Sequence, residues 1–355
     1  MKKCMYLILL FVSVKGFAQK ENYISIVSML PKNYVKDASV DYTSIIQKAI
    51  TGFDSILMPD FPILINDNGI KVGSNKIIVF QHSSKLILAP SNKSKFSLFY
   101  IENAKNVKIF NAHIVGDRNF HQGNKGEWGM GIRIEGSTNV LIDNATISDF
   151  WGDGIYITRS GKVNSSKVTI LNSTFNKNRR NGISIISGAE IRISNSLFSN
   201  TNGTNPMAGI DIEPNSPMDN LGLIEINNIR TSQNRIGVQV SMMHFPSNKK
   251  QIFQINIENM VSLKEEHGLL LRDFYNKNKY GEKALPLNGI VTYKNIEINE
   301  SLKEPIKYFN NAKGYEYGPK YIFNNIRIRN NNSSIKKVEH LKTELGKRGF
   351  DVIEF

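Results

Sequence analysis

Gly131-Ile-Arg-Ile, Gly154-Ile-Tyr-Ile, Gly182-Ile-Ser-Ile, Gly209-Ile-Asp-Ile, Gly237-Val-Gln-Val and Gly268-Leu-Leu-Leu are one short strand written six times. The glycines lie 23, 28, 27, 28 and 31 residues apart. That is the period of stacked coils, and it varies too much for a rigid short solenoid repeat. Each interval fits one coil of a parallel β-helix, in which alternation sends the two apolar residues inward and the residue between them outward.

A second ladder keeps step with the first. Asn111, Asn144, Asn172, Asn195, Asn228, Asn259, Asn295 and Asn325 mostly close alternating apolar stretches such as Val107-Lys-Ile-Phe-Asn and Ile191-Arg-Ile-Ser-Asn. Asparagine tolerates the left-handed backbone of a sharp corner, and stacked carboxamides can bond to one another from coil to coil. The role expected of them is structural. Both ends of the solenoid carry a helix in this reading. Asp41-Tyr-Thr-Ser-Ile-Ile-Gln-Lys-Ala-Ile50 has an acidic start and apolar Ile45, Ile46, Ala49 and Ile50. Ser334 to Leu345 repeats the device with Ile335, Val338, Leu341 and Leu345 on one face and Gly346 as a stop. A helix laid across an open end blocks further strand addition.

The chain of 355 residues opens on Met1-Lys-Lys, an apolar run from Met5 to Val14 and small residues at Gly16-Phe-Ala18, the pattern of a signal peptide cleaved after Ala18. The expected organisation is therefore a signal peptide over 1–18, an N-terminal cap and first coils over 19–100, a β-helix with its groove over 101–330, and a cap helix and tail over 331–355. The only cysteine, Cys4, leaves with the signal, so stability rests on burial and backbone pairing without disulfides. Localisation is read as secreted or periplasmic, with no membrane span and a monomeric state. The formal net charge of +14 falls to +11 without Lys2, Lys3 and Lys15. A basic exterior favours anionic partners such as uronic-acid or sulfated polysaccharides. No nucleic-acid motif accompanies the dispersed lysines.

The helix Asp41–Ile50, the extended stretch to Leu88 and the Gly-Ile coils together resemble the pectate-lyase-like superfamily of right-handed parallel β-helix proteins, over roughly residues 38 to 330. The resemblance implies an all-β, single-stranded right-handed solenoid, and it implies action on polysaccharides. It does not extend to the polygalacturonase set of Asn-Thr-Asp, Asp-Asp, Gly-His-Gly and Arg-Ile-Lys, which is absent from this chain. The fold alone does not choose the chemistry.

Two coils break the spacing. Most pass from the asparagine corner to the next glycine in 9 or 10 residues, but Asn111 to Gly131 takes 20 and Asn195 to Gly209 takes 14. The first insertion carries Asp117, Arg118, His121, Glu127 and Trp128; the second runs from Asn200 to Met207. Both enter the Gly-Ile sheet from the same side and are expected to wall a groove on its outer face. The outward rows of that sheet read Arg133, Tyr156, Ser184, Asp211, Gln239, Leu270 and then Glu135, Thr158, Ile186, Glu213, Ser241, Arg272. Asp153, Arg179, Arg180 and Asn181 stand just before two of the glycines. The chemistry is therefore expected between Asp117 and Glu213.

Asp211 and Glu213, two residues apart on one strand, suit paired-carboxylate glycoside hydrolysis, with Asp153 as a third acid on the far side of a sugar. Close acids raise one another's pKa, as a general acid needs. Arg180 completes the catalytic group. Trp128, His121, Asp117, Arg118, Glu127, Arg133, Tyr156, Arg179 and Asn181 are expected substrate contacts, Trp128 as a stacking platform and His121 as a proton shuttle. The histidines show no zinc spacing. One alternative is a polysaccharide lyase, in which the acids hold calcium and Arg179 or Arg180 takes the proton. In that reading calcium is the cofactor. Another alternative is a non-catalytic glycan-binding or adhesion protein.

Overall fold

The glycine strands stack in the order the repeat predicts. The structure, a computed structural model, describes residues 23–216, 218–245, 252–273, 287–309 and 318–329, together with Thr343, Gly346 and residues 351–352. The expected signal peptide with Cys4 and, apart from Thr343, the expected C-terminal helix over Ser334–Leu345 lie outside the described residues; Thr343 is helical, and so is Gly346, which was expected to stop the helix. Among those described, parallel strands form one sheet of nine and one of seventeen. The nine-stranded sheet contains all six glycine repeats and adds Ile70–Lys71, Lys95–Glu102 and Ile306–Phe309 at its ends.

Register within this sheet follows the outward row residue by residue. Arg133 pairs with Tyr156, Tyr156 with Ser184, Ser184 with Asp211, Asp211 with Gln239, and Gln239 with Leu270. The isoleucines on either side of that row are wholly buried, Ile210 and Ile212 among them. Burying each such side chain is worth about 1.5–3 kcal/mol, and a slip of one residue would turn all of them to solvent. The glycines answer a second demand. A Cβ built on Gly131 would lie 2.5 Å from the carbonyl oxygen of Gly154, and Gly182 stands in the same relation to Gly209. One coil's strand start is thus filled by the backbone of the next.

The asparagine ladder takes the conformation and the bonds expected of it. All eight residues have positive φ, from 50° to 57°. Asn144 donates to Asn111 at 2.8 Å, Asn228 to Asn195 at 2.8 Å, Asn295 to Asn259 at 2.9 Å and Asn325 to Asn295 at 2.8 Å. Two rungs use the preceding residue of the neighbouring coil: Asn172 donates to Asp143 and Asn259 to Asn227, each at 2.8 Å. Asn75, Asn106 and Asn139 form a shorter ladder of the same kind.

The helix Thr43–Gly52 lies against the strand Ile70–Lys71 that begins the nine-stranded sheet. Asp41 accepts the Thr43 N–H at 2.8 Å, and Ile46, Ala49 and Ile50 are buried. The carboxamide of Gln47 accepts from the N–H of Lys71 at 2.7 Å and donates to its carbonyl at 3.0 Å. One side chain thereby occupies both backbone groups that the strand edge offers to a further strand.

Asn259 both donates and accepts in its ladder and has φ 54°. Asn259→Ala is expected to lower stability by about 2 kcal/mol, chiefly through the left-handed backbone. Asn259→Gly, which removes only the bonds, is expected to cost less. Urea unfolding of the two variants separates the contributions.

Candidate active site

Arg180 stands two residues before Gly182, and its guanidinium reaches into a ring of acids drawn from the coils on either side of its own and from the first insertion. It lies 3.0 Å from Asp153, 4.0 Å from Asp211, and 3.8 Å from both Glu213 and Glu127. The outward rows, the pre-glycine positions and the insertion therefore meet, as the spacing predicts. Asp153 and Asp211 have no exposed surface, whereas the Glu213 side chain keeps 14% of its own.

Each buried carboxylate has its own donors. Asp153 Oδ2 accepts from Arg180 Nη1 at 3.0 Å and from the Ser184 hydroxyl at 2.8 Å. Asp211 accepts from the carboxamides of Gln239 at 2.9 Å and Asn181 at 3.2 Å. Asn181 also accepts the Ala208 N–H at 2.9 Å, so it ties two coils together. Burial, reinforced by the charge of Glu213, pushes the Asp211 carboxyl well above the usual range, with Arg180 opposing the rise. Burial also raises Asp153, again against the pull of Arg180. Burial alone would lower Arg180, but Asp153, Asp211, Glu127 and Glu213 outweigh it and hold the guanidinium proton more firmly than usual.

Next to this ring is a pocket of about 250 Å³ lined by Arg180, Asn205, Pro206, Glu213, Arg235, Gln239, Leu270, Arg272 and Phe309. Among the described residues, the buried polar atoms without a hydrogen-bond partner include Arg180 Nε, Gln239 Oε1 and Arg272 Nε. Buried polar atoms are rarely left unpaired, and here three such atoms belong to residues that line one concavity. Arg235, Arg272, Gln239 and Phe309 were absent from the expected set. Arg235 could have been found, because its place two residues before Gly237 is that of Arg180 before Gly182. Phe309 lies on a strand without the glycine signature, and the apolar coils after Glu213 hid it.

Several expected contacts stand elsewhere, and the region Asp117 to Glu213 is only one side of the site. Asp117 and His121 do not reach the pocket: their side chains are wholly buried and bonded to each other at 2.7 Å. His121 is stacked between Phe96 and Trp151, and Arg179 covers the other face of Trp151 at 3.7 Å. Arg179 is thus spent on the indole and on the carbonyl of Gly126, which it meets at 3.0 Å. Arg118 turns to the carbonyl of Lys177 at 2.7 Å and to the Asn202 side chain, which clasps the two insertions together. These four residues support the loops and do not line the pocket. Arg133 pairs with Glu135 at 2.5 Å and lies over the Tyr156 ring, outside the acid ring. Asp153 sits beneath Arg180 instead of across a groove from Asp211. Trp128 is 44% exposed at the start of its strand, beside Glu127.

The guanidinium fills the centre that a cation would need, and the oxygens of Asp153 and Asp211 face Arg, Ser, Asn and Gln donors. Among the described residues no group of three or more His, Cys, Asp or Glu side chains is arranged to hold a metal ion. The residues do not fit calcium.

Residues 59–217 match the family described as right handed beta helix region. This match and the parallel sheet topology show a right-handed parallel β-helix fold. It is 34% identical over 175 residues to the uncharacterized protein YclG of Bacillus subtilis (strain 168), a match covering 45% of this chain and 30% of that one. The chain therefore spans under a third of that relative's length. Among solved structures it is similar to the family 28 exopolygalacturonase of Yersinia enterocolitica, with 12% identity, TM-score 0.63, and coverage of 89% of this chain and 67% of that one. It is also similar to the endo-xylogalacturonan hydrolase of Aspergillus tubingensis, with 12% identity, TM-score 0.55, and coverage of 83% and 91%. At such identities the likeness is one of fold. Among the described residues no helix is long and apolar enough to cross a membrane.

Removing Arg180 strands a buried carboxylate. Arg180→Met is expected to destabilise the protein by about 3–5 kcal/mol, and adding Asp153→Asn is expected to restore much of that loss in denaturant titrations. Asp211 gives a pH signature. Because the fold raises its pKa, the native state holds more protons than the unfolded chain between the two values, so stability falls as pH rises across that interval. Asp211→Asn is expected to remove that part of the slope when unfolding is followed from acid to neutral pH.

Proposed function

We propose that this protein is a carbohydrate-active β-helix enzyme, working outside the cytoplasm, that binds an acidic polysaccharide in the Arg180–Phe309 pocket and hydrolyses it at Glu213. The observation that carries the reading is one accessible carboxylate, Glu213, set against a buried partner, Asp211, whose environment favours the protonated form. Such a pair supplies an acid and a base from one strand. Glu213 meets the scissile linkage, and Asp211 acts through it as a proton store. The pair's proton goes to the leaving oxygen as the glycosidic C–O bond breaks. Water adds to the sugar carbon and returns a proton to the pair.

Anionic substrate is supported by three arginines on the pocket wall, among which Arg272 has no carboxylate partner among the ion pairs of the described residues. A planar guanidinium recognises a carboxylate or sulfate through parallel N–H bonds. Phe309, half-buried on top of Leu270, offers an apolar face to the ring. The solved relatives named for polygalacturonan and xylogalacturonan chemistry agree with this class of substrate.

Elimination is less well supported. Neither arginine suits the role of base: Arg180 is held charged by its ring of acids, and Arg179 is committed to Trp151. Binding without cleavage has one observation in its favour, the complete burial of Asp153 and Asp211.

Incubation with a panel of neutral and acidic polysaccharides, read by product mass, tests the proposal. Hydrolysed ends carry the elements of water, whereas elimination leaves an unsaturated sugar that absorbs in the ultraviolet. Glu213→Gln is expected to lower turnover by about 10²–10⁴-fold while binding is kept. Turnover by the native enzyme is expected to decline on the alkaline side, as Asp211 loses the proton that its burial favours. Product release undiminished in Glu213→Gln would remove this residue from the chemistry.

A further inference from the structure

The second insertion bears on how a chain enters the pocket. Its Asn205 and Pro206 form the wall on the side where the strands begin. Arg235 holds them there: its Nη1 donates to the Asn205 side chain at 3.0 Å and to the Pro206 carbonyl at 3.4 Å, while its Nε meets Glu266 at 3.2 Å. The base of the insertion is pinned as well. The Thr201 N–H donates to Asn234 at 2.9 Å, Thr204 N–H to the Arg179 carbonyl at 2.9 Å, and Asn202 is clasped by Arg118. Four attachments make this a fixed wall.

Glu213 lies at the other end of the same strand, beyond Ile212, and Phe309 stands on the coil farthest along the axis. The volume between them, about 250 Å³, is below the usual range of about 300–1,000 Å³ for ligand sites. It suits one sugar ring better than a continuous chain. Coils that pass from corner to glycine in 9 or 10 residues have no such wall, and a chain lying on them would meet an open face.

We infer that the Asn205–Pro206 wall, latched by Arg235, closes one end of the pocket, so that the protein receives the terminal unit of an acidic glycan and cleaves the linkage next to it at Glu213. This rests on the hydrolytic reading above and adds the mode of attack: the chain enters end-first and leaves past Glu213.

Defined hexasaccharides of polygalacturonate, alginate and hyaluronan, each labelled at the reducing end and followed by mass spectrometry, test it. The expected result is successive loss of single units (or a single repeat unit) from one end, starting with the earliest time points. Arg235→Ala, which frees the wall, is expected to raise the share of internal cleavage about tenfold. Asn205→Gly is a milder variant that removes one latch and is expected to move the products in the same direction. Mixed internal products from the native protein would overturn end-first attack while leaving hydrolysis intact. If no hexasaccharide were cut, the hydrolytic reading and this inference would fall together.

Discussion

Five strand starts in the nine-stranded sheet leave space for a backbone carbonyl where a side chain would otherwise be. The glycine of one coil faces the carbonyl of the next glycine at 2.5–2.7 Å from where a Cβ would stand, from Gly131 through to Gly237. No larger residue satisfies that approach without shifting its neighbour, so the contact locks adjacent coils into a single register. From this follow the burial of the isoleucines, the asparagine bonds at the corner and the alignment of outward side chains at about 4.8 Å from coil to coil. The acid ring needs that alignment, because its members come from positions 127, 153, 180, 211 and 213.

The ring also depends on the difference between facing outward and being exposed. Asp211 points away from the apolar core, between Ile210 and Ile212, yet Gln239, Asn181, Arg180 and Glu213 around it leave it no surface. A polar layer thus lies on the sheet and behaves electrostatically like an interior. Charges in that layer are tuned by a few neighbours and little by bulk water. Glu213 lies at the edge of the layer, and this division between one enclosed acid and one open acid underlies the proposed chemistry.

Much of the architecture was legible because it is periodic. The glycine strands, the corner asparagines and the two outward rows are local patterns repeated at the coil spacing, and repetition fixes register without knowledge of side-chain contacts. The meeting of Asp153, Arg180, Asp211 and Glu213 followed from the same arithmetic. What periodicity could not supply was the path of non-repeating chain. His121 and Asp117 looked like polar loop residues, but stacking between Phe96 and Trp151 drew the pair inward. Arg118 and Arg179 found carbonyls and an indole within their own loops. Conversely, Phe309 and Arg272 became part of a pocket through a neighbour in space, since the coils above Glu213 rise beside it. Arg235 was hidden only by the residue between it and Gly237, an isoleucine where Arg180 has an asparagine.

The Gln47 carboxamide has a bearing beyond its own two bonds. A stack of identical ladders has no intrinsic length, and the free rim of such a stack is a template on which another molecule could grow. By satisfying the amide and carbonyl of Lys71, a single side chain ends the lattice on this side and makes the strand count a property of the gene and not of assembly. New coils can then be gained by duplication within the array without turning the protein into a polymer.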